Sequence, residues 1–135
     1  MPDAGLHLRA DSPDGVRFLS ALTQDAILSS ADAIFDAARG VSALILSRYR
    51  WEDRGRRTRV RSLLTVRHVE RATRLRWPSR ASPLLLLSIR PAPAVLRLDF
   101  ADAIALRLTT LTLALSLEDI GEPWPVRRVP GHERG

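Results

Sequence analysis

Apolar and polar residues change their repeat several times along this chain, and each change marks an element. Leu6 and Leu8 alternate with polar neighbours across residues 5–9, the two-residue repeat of a short strand. Ser12, Pro13 and Asp14 then supply a capping hydroxyl, a proline at the first helical position and an acid in the first turn. A helix is predicted over residues 13–24, with Val16, Leu19, Ala21 and Leu22 as its buried stripe and Phe18 alongside.

From Ala26 the period returns to two. Short apolar pieces at 26–28 and 33–35 are followed by Val41, Ala43, Ile45, Ser47, Tyr49 and Trp51 on one face of a long strand, with 37–40 as the turn before it. Asp53-Arg54-Gly55 is a second turn, and Val60, Ser62, Leu64, Val66 and His68 alternate beyond it, so these two strands form a hairpin. Residues 76–83, with Pro78 and Pro83, read as a loop. The aliphatic run 84–89 is a buried strand, broken by Pro91 and Pro93, and 95–100 with 103–108 make another hairpin around Ala101-Asp102.

Residues 111–120 fit two repeats. Leu111, Leu113, Leu115 and Leu117 alternate as in a strand, whereas Leu113, Leu117 and Ile120 fit a helical stripe. Gly121 and Pro123 resemble a helix stop and favour the helix, although Glu118 and Asp119 would sit at the negative end of its dipole. The expected fold is therefore α+β: a strongly bent antiparallel sheet or partly open barrel of about six to seven strands, an N-terminal helix and a C-terminal capping helix. That plan has pleckstrin-homology-like topology, an analogy that carries no function. Residues 1–121 would form the single domain and 122–135 a proline-rich tail pinned by Trp124.

Composition narrows the class. A chain of 135 residues with 45% apolar and 27% charged positions has the makeup of one folded domain. Without cysteine it has no disulfides and no thiolate metal site. Residues 1–10 contain Asp3 and lack the apolar run of an export signal, and neither 83–89 nor 103–117 is long and apolar enough to span a bilayer. A cytoplasmic protein without membrane association is expected.

All 21 basic side chains are arginines, and asparagine is absent as well, a bias that a GC-rich genome produces by itself. Distribution says more than the total. Residues 1–47 hold three arginines and six acids, 48–80 hold twelve arginines and three acids, and 81–135 hold six of each. The positive charge thus belongs to the predicted hairpin.

Little catalytic chemistry is readable. His7, His68 and His132 have no metal-ligand spacing, no serine lies in a nucleophile elbow, and no glycine pair makes a phosphate loop. His68, if inward, would be a base or a satisfied core imidazole, the latter being commoner. Asp99 and Asp102 flank a turn, where acids are ordinarily solvated, so a carboxylate pair there is the lesser reading. No cofactor or metal is implied.

If Val60, Ser62, Leu64 and Val66 face the core, Arg57, Arg59, Arg61 and Arg67 share the outer face. Arg48 and Arg50 of the preceding strand would join them, with Glu52 as a partial neutraliser. These six are the candidate anion-binding residues, set against a simply solvated cationic face. Trp51 and Trp124 are either core or contact residues, and Trp124 is the candidate interface residue.

Three segments, Leu22-Thr23-Gln24-Asp25-Ala26-Ile27, Leu46-Ser47-Arg48-Tyr49-Arg50-Trp51-Glu52 and Leu117-Glu118-Asp119-Ile120-Gly121-Glu122-Pro123-Trp124-Pro125, resemble an alphaproteobacterial family of uncharacterised proteins, domain of unknown function 2948. The resemblance implies a helical 111–120 and supplies no activity, cofactor or catalytic residue. The functional expectation is a non-enzymatic protein-interaction or regulatory module with a protein partner. The alternatives are anion or nucleic-acid binding through residues 48–71, and an enzyme with an unrecognised site.

Overall fold

A computed structural model describes residues 5–131. His132, one of the three imidazoles, lies outside them. Strand β1 (His7–Ala10) leads into helix α1 (Pro13–Leu22), followed by β2 (Ile27–Ser29), a 3-10 turn, β3 (Ala33–Asp36), β4 (Val41–Tyr49), β5 (Thr58–Val66) and β6 (Val69–Leu75). Then come β7 (Pro83–Ala92), β8 (Val95–Phe100), a second 3-10 turn, β9 (Ala105–Thr110) and β10 (Leu115–Pro125).

The helix begins as its sequence dictates. Ser12 is extended and its hydroxyl accepts the Gly15 N–H at 3.1 Å, with Pro13 at the first helical position. Val16, Leu19 and Leu22 are buried. At the other end the Thr23 hydroxyl donates to the Leu19 carbonyl.

All strand pairs are antiparallel and belong to a ten-stranded open sheet in the order β1-β10-β5-β4-β2-β7-β8-β9-β6, with β3 also paired to β4. The short β2 is the corner: it meets β4 at Ile27↔Ser47 and runs along β7 through Ile27↔Leu85 and Leu28↔Leu84. The sheet folds over there so that Leu44, Leu46, Leu64 and Leu117 join Leu86, Leu96, Leu98 and Leu108 in one core, with α1 against it. Where the sheet stays open, Val69 N–H donates to the Gly40 carbonyl and Arg74 Nη2 to the Ala33 carbonyl.

Several expectations are corrected. There are ten strands where about six to seven were expected: β6 lies in a stretch that carried no clear alternation, and β10 (Leu115–Pro125) occupies residues expected to be helical, while the short pieces β1, β2 and β3 each join the ladder. The chain leaves β5 at His68, which is exposed with φ 59°, and turns into β6 instead of extending the hairpin.

The C-terminal helix does not exist, and with it goes the capping element of the pleckstrin-homology-like plan. Residues 115–125 are β10, which lies between β1 and β5 with Leu115↔Val66 and Leu117↔Leu64 facing inward. Gly121, φ 77°, is not a helix stop; it sits where the ladder slips between Ile120 and Trp124. Two carboxylates at the end of a helix would have opposed its dipole, whereas in a strand Asp119 reaches a buried guanidinium. Part of the expected tail also belongs to the sheet, since Trp124 pairs with Arg59 and the Val126 N–H donates to the Arg57 carbonyl.

Candidate functional site

The central strands place one charge cluster inside. On β4 the inward positions are Ser42, Leu44, Leu46 and Arg48, one residue out of step with the face expected to be buried. Arg48 is therefore fully buried, not on the outer surface. It faces β10, where Asp119 follows Leu115 and Leu117 on the same inward parity.

Arg48 donates from Nε and Nη2 to Oδ1 and Oδ2 of Asp119, both at 2.9 Å. It also donates from Nη1 and Nη2 to Oε1 and Oε2 of Glu52, at 2.9 and 2.7 Å. The guanidinium thus holds two carboxylates, each in a two-pronged pair. Asp119 further accepts the Ser62 hydroxyl at 2.6 Å and the Leu6 N–H at 3.0 Å.

Burial pushes the Asp119 carboxyl up, yet the hydrogen bonds from Arg48 and Ser62 and the nearby positive charge leave it below the usual aspartate range. Glu52 behaves likewise, burial being outweighed by Arg48. Burial also works against the charge on Arg48, but the two carboxylates hold it above its ordinary value. All three groups are ionised at neutral pH, and the cluster is closed upon itself.

A second staple joins the turn after α1 to the same strands. Asp25 is buried with φ 62°, and its carbonyl and that of Ser47 accept from Arg59 Nη2 and Nη1 at 3.5 and 2.8 Å. The Trp51 indole N–H donates to the Gln24 carbonyl at 3.0 Å, and its ring meets Tyr49 edge-on at 4.7 Å. The segments 22–27, 46–52 and 117–125, far apart in sequence, meet here, with Trp51 reaching one and Arg48 the other.

The six arginine candidates separate in space. Val60, Ser62, Leu64 and Val66 are buried as expected, and Arg57, Arg61 and Arg67 are exposed. Arg59 shares their parity but is folded down onto the carbonyls above. Arg50 is largely covered and pairs with Asp53 at 3.3 Å. Arg67 lies at the far end of β5 and reaches the Ser116 hydroxyl at 3.4 Å.

The outer face of the central strands is unexpectedly apolar. One rung runs Ile27–Ser47–Arg61–Ile120 across β2, β4, β5 and β10, and the next places Ile45 beside Leu63. Ile27 and Ile120 are each 43% exposed, and Ile34, beside Ala43, is 58% exposed. Next to Arg61 a groove of about 370 Å³ opens where β2 and β4 diverge, lined by Ile27, Ile45, Ser47 and Pro83. Trp124 is more than one-third exposed at the edge of this face.

The remaining candidates do not come together. His7 is exposed, as is His68. Asp99 accepts from Arg90 and Arg97, both at 2.8 Å, and Asp102 is an exposed turn residue with φ 67°, so they form no acid–base pair. Among the described residues there is no cluster of side chains with metal-ligand character, and no helix is long and apolar enough to cross a membrane.

These features define an open antiparallel β-sheet domain with one packed helix, an internal arginine–carboxylate node and a cationic, apolar outer face. The chain belongs to the family described as protein of unknown function, DUF2948, whose profile matches residues 6–132. No curated protein and no solved structure matches it.

Proposed function

We propose that this domain is a non-enzymatic protein-interaction module whose partner covers the outer face of β2, β4, β5 and β10. The observation that carries the proposal is apolarity on both sides of these strands. A sheet wet on one face alternates apolar with polar, whereas here Leu44, Leu46 and Leu64 point inward while Ile27, Ile45, Leu63 and Ile120 point out. Ile27, Ile34 and Ile120 are each more than 40% exposed on that side. Exposed Ile27 and Ile120 flank half-buried Ile45 and Leu63, with Arg61 and Glu118 among them, the mixed composition of a contact surface. The fitting partner offers an apolar stripe with a carboxylate opposite Arg61.

Support against an active site comes from the chemistry. Among the described residues, Arg48, Asp119 and Glu52, whose titration is shifted, satisfy one another, and Asp99 is held by Arg90 and Arg97.

Capture from native extract with the tagged full chain, with Ile27→Glu and Ile120→Glu beside it, tests the proposal. A partner should be retained by the wild type, lost by both variants, and kept by Leu111→Glu, which alters an exposed leucine away from this face. Equal capture by all four chains would remove this face from consideration.

A further inference from the structure

Folding brings together two arginine groups that the sequence keeps apart. The turn between β4 and β5 carries Arg54, Arg56 and Arg57, all exposed, and the chain leaving β10 carries Arg127 and Arg128, also exposed. Two hydrogen bonds join these segments: Val126 N–H to the Arg57 carbonyl at 2.9 Å, and Arg57 Nη1 to the Arg127 carbonyl at 3.0 Å. Arg127 and Arg128 come from a third of the chain that has no net charge, so only the fold adds them to the hairpin.

The acids nearby are largely committed. Glu52 is bound by Arg48, and Asp53 by Arg50 and Arg56 at 3.3 and 3.5 Å. Glu122 remains, exposed at the bulge in β10. Among the described residues no carboxylate forms an ion pair with Arg54, Arg57, Arg127 or Arg128. Like charges crowded in this way are stabilised by an anion.

Aromatic surface lies within the same end of the sheet. A groove of about 340 Å³ is lined by Tyr49, Trp51, Arg54, Arg56 and Arg57 together with Asp53, which Arg50 and Arg56 hold. On the outer face, Tyr49, Arg59 and Trp124 form one rung across β4, β5 and β10, and Trp124 is 38% exposed. An acidic protein segment would use the guanidinium groups and leave the indole without a role. A chain of phosphates bearing unpaired bases uses both, since guanidinium forks suit phosphate and flat rings stack on bases.

We infer that the β4–β5 turn and the segment after β10 form a binding site for single-stranded nucleic acid, with Arg54, Arg57, Arg127 and Arg128 on phosphates and Trp124 stacking on a base. Sequence-independent contacts are expected, because phosphate charge and stacking on a flat ring are common to every sequence. This site borders the Ile27–Ile120 face at Trp124, but Arg54, Arg127 and Arg128 lie outside the strands of that face, so Arg127→Ala/Arg128→Ala tests it independently of Ile27→Glu.

Fluorescence anisotropy with a labelled oligo-dT of about 20 nucleotides tests it, using the full chain. Four phosphate contacts predict a roughly 50-fold loss of affinity between about 50 and about 200 mM salt. Arg127→Ala/Arg128→Ala should weaken binding about tenfold and halve the salt slope, with Arg54→Ala as an independent turn variant giving a smaller loss in the same direction. Trp124→Ala should weaken binding at least about fivefold with the slope unchanged. Three results would overturn the inference: no binding at low salt, equal competition by poly-glutamate, which points to an acidic protein, or equal affinity for duplex with no effect of Trp124→Ala.

Discussion

Arg48 and Asp119 are 71 positions apart and meet in two parallel hydrogen bonds of 2.9 Å, with neither side chain more than 4% exposed. Asp119 in turn holds Ser62 of β5 and the backbone of Leu6 just before β1, so one carboxylate ties four segments together. A buried ion pair with its hydrogen bonds complete is close to neutral in net stability, but removing one partner strands the other charge in the interior. Its contribution is therefore to alignment: β10 can add to β5 in this register only if Asp119 faces Arg48.

Arg48→Ala is expected to cost about 3–5 kcal/mol, because two carboxylates lose their counter-charge at once. Urea denaturation followed by circular dichroism would measure it. A loss under about 1 kcal/mol would mean that water reaches the node and replaces the guanidinium.

Acid should weaken the fold through the same pair. Asp119 and Glu52 lie below their ordinary values of 3.8 and 4.5, so their stabilisation is complete above those values and is lost as pH falls through the lower folded-state ones. Asp119→Asn should be less stable than the wild type near neutrality, with the gap narrowing as pH drops below about 4. A gap that stays constant down to about pH 2 would show that the charge of Asp119 does not matter.

Arg59 and Arg61 share a face and differ in what they hold. Arg59 is 9% exposed and donates to the Ser47 and Asp25 carbonyls, so Arg59→Ala should destabilise by about 1–3 kcal/mol, the cost of leaving covered carbonyls unsatisfied. Arg61→Ala, on an exposed side chain, should stay within about 0.5 kcal/mol. Thermal melts of the two variants side by side distinguish them, and equal melting temperatures would contradict the assignment.

Two glycines with positive φ should respond differently to a methyl group. At Gly40, φ 65°, a Cβ would stand 3.0 Å from the Val69 carbonyl oxygen, on the contact that joins β4 to β6 where the sheet is open. At Gly121, φ 77°, a Cβ would meet nothing within 4 Å. Gly121→Ala should cost about 1 kcal/mol for the left-handed backbone alone, and Gly40→Ala clearly more, read from chemical denaturation midpoints.

Much of the fold was legible locally, and the gaps have definite causes. The start of α1 was carried by Ser12 and Pro13, and the inward face of β5 by Val60, Ser62, Leu64 and Val66, because a cap and a clean alternation each act within a few residues. On β4 the choice of face was undetermined, since Ala43 and Ile45 are as apolar as Leu44 and Leu46, and a shift of one residue exchanges the two sides. That shift turned Arg48 from a surface candidate into the centre of the core's polar cluster.

Residues 111–120 fitted either repeat, and their fate turned on partners elsewhere in the chain: β1 and β5 on either side, and a guanidinium waiting for Asp119. The local rules thus sufficed for where the helix begins, which turns reverse the chain and which segment carries the arginines. Which guanidinium is buried, which carboxylate meets it and which distant arginines gather at one end were settled only by folding, because a long-range charge pair or sheet register involves residues that no local repeat connects.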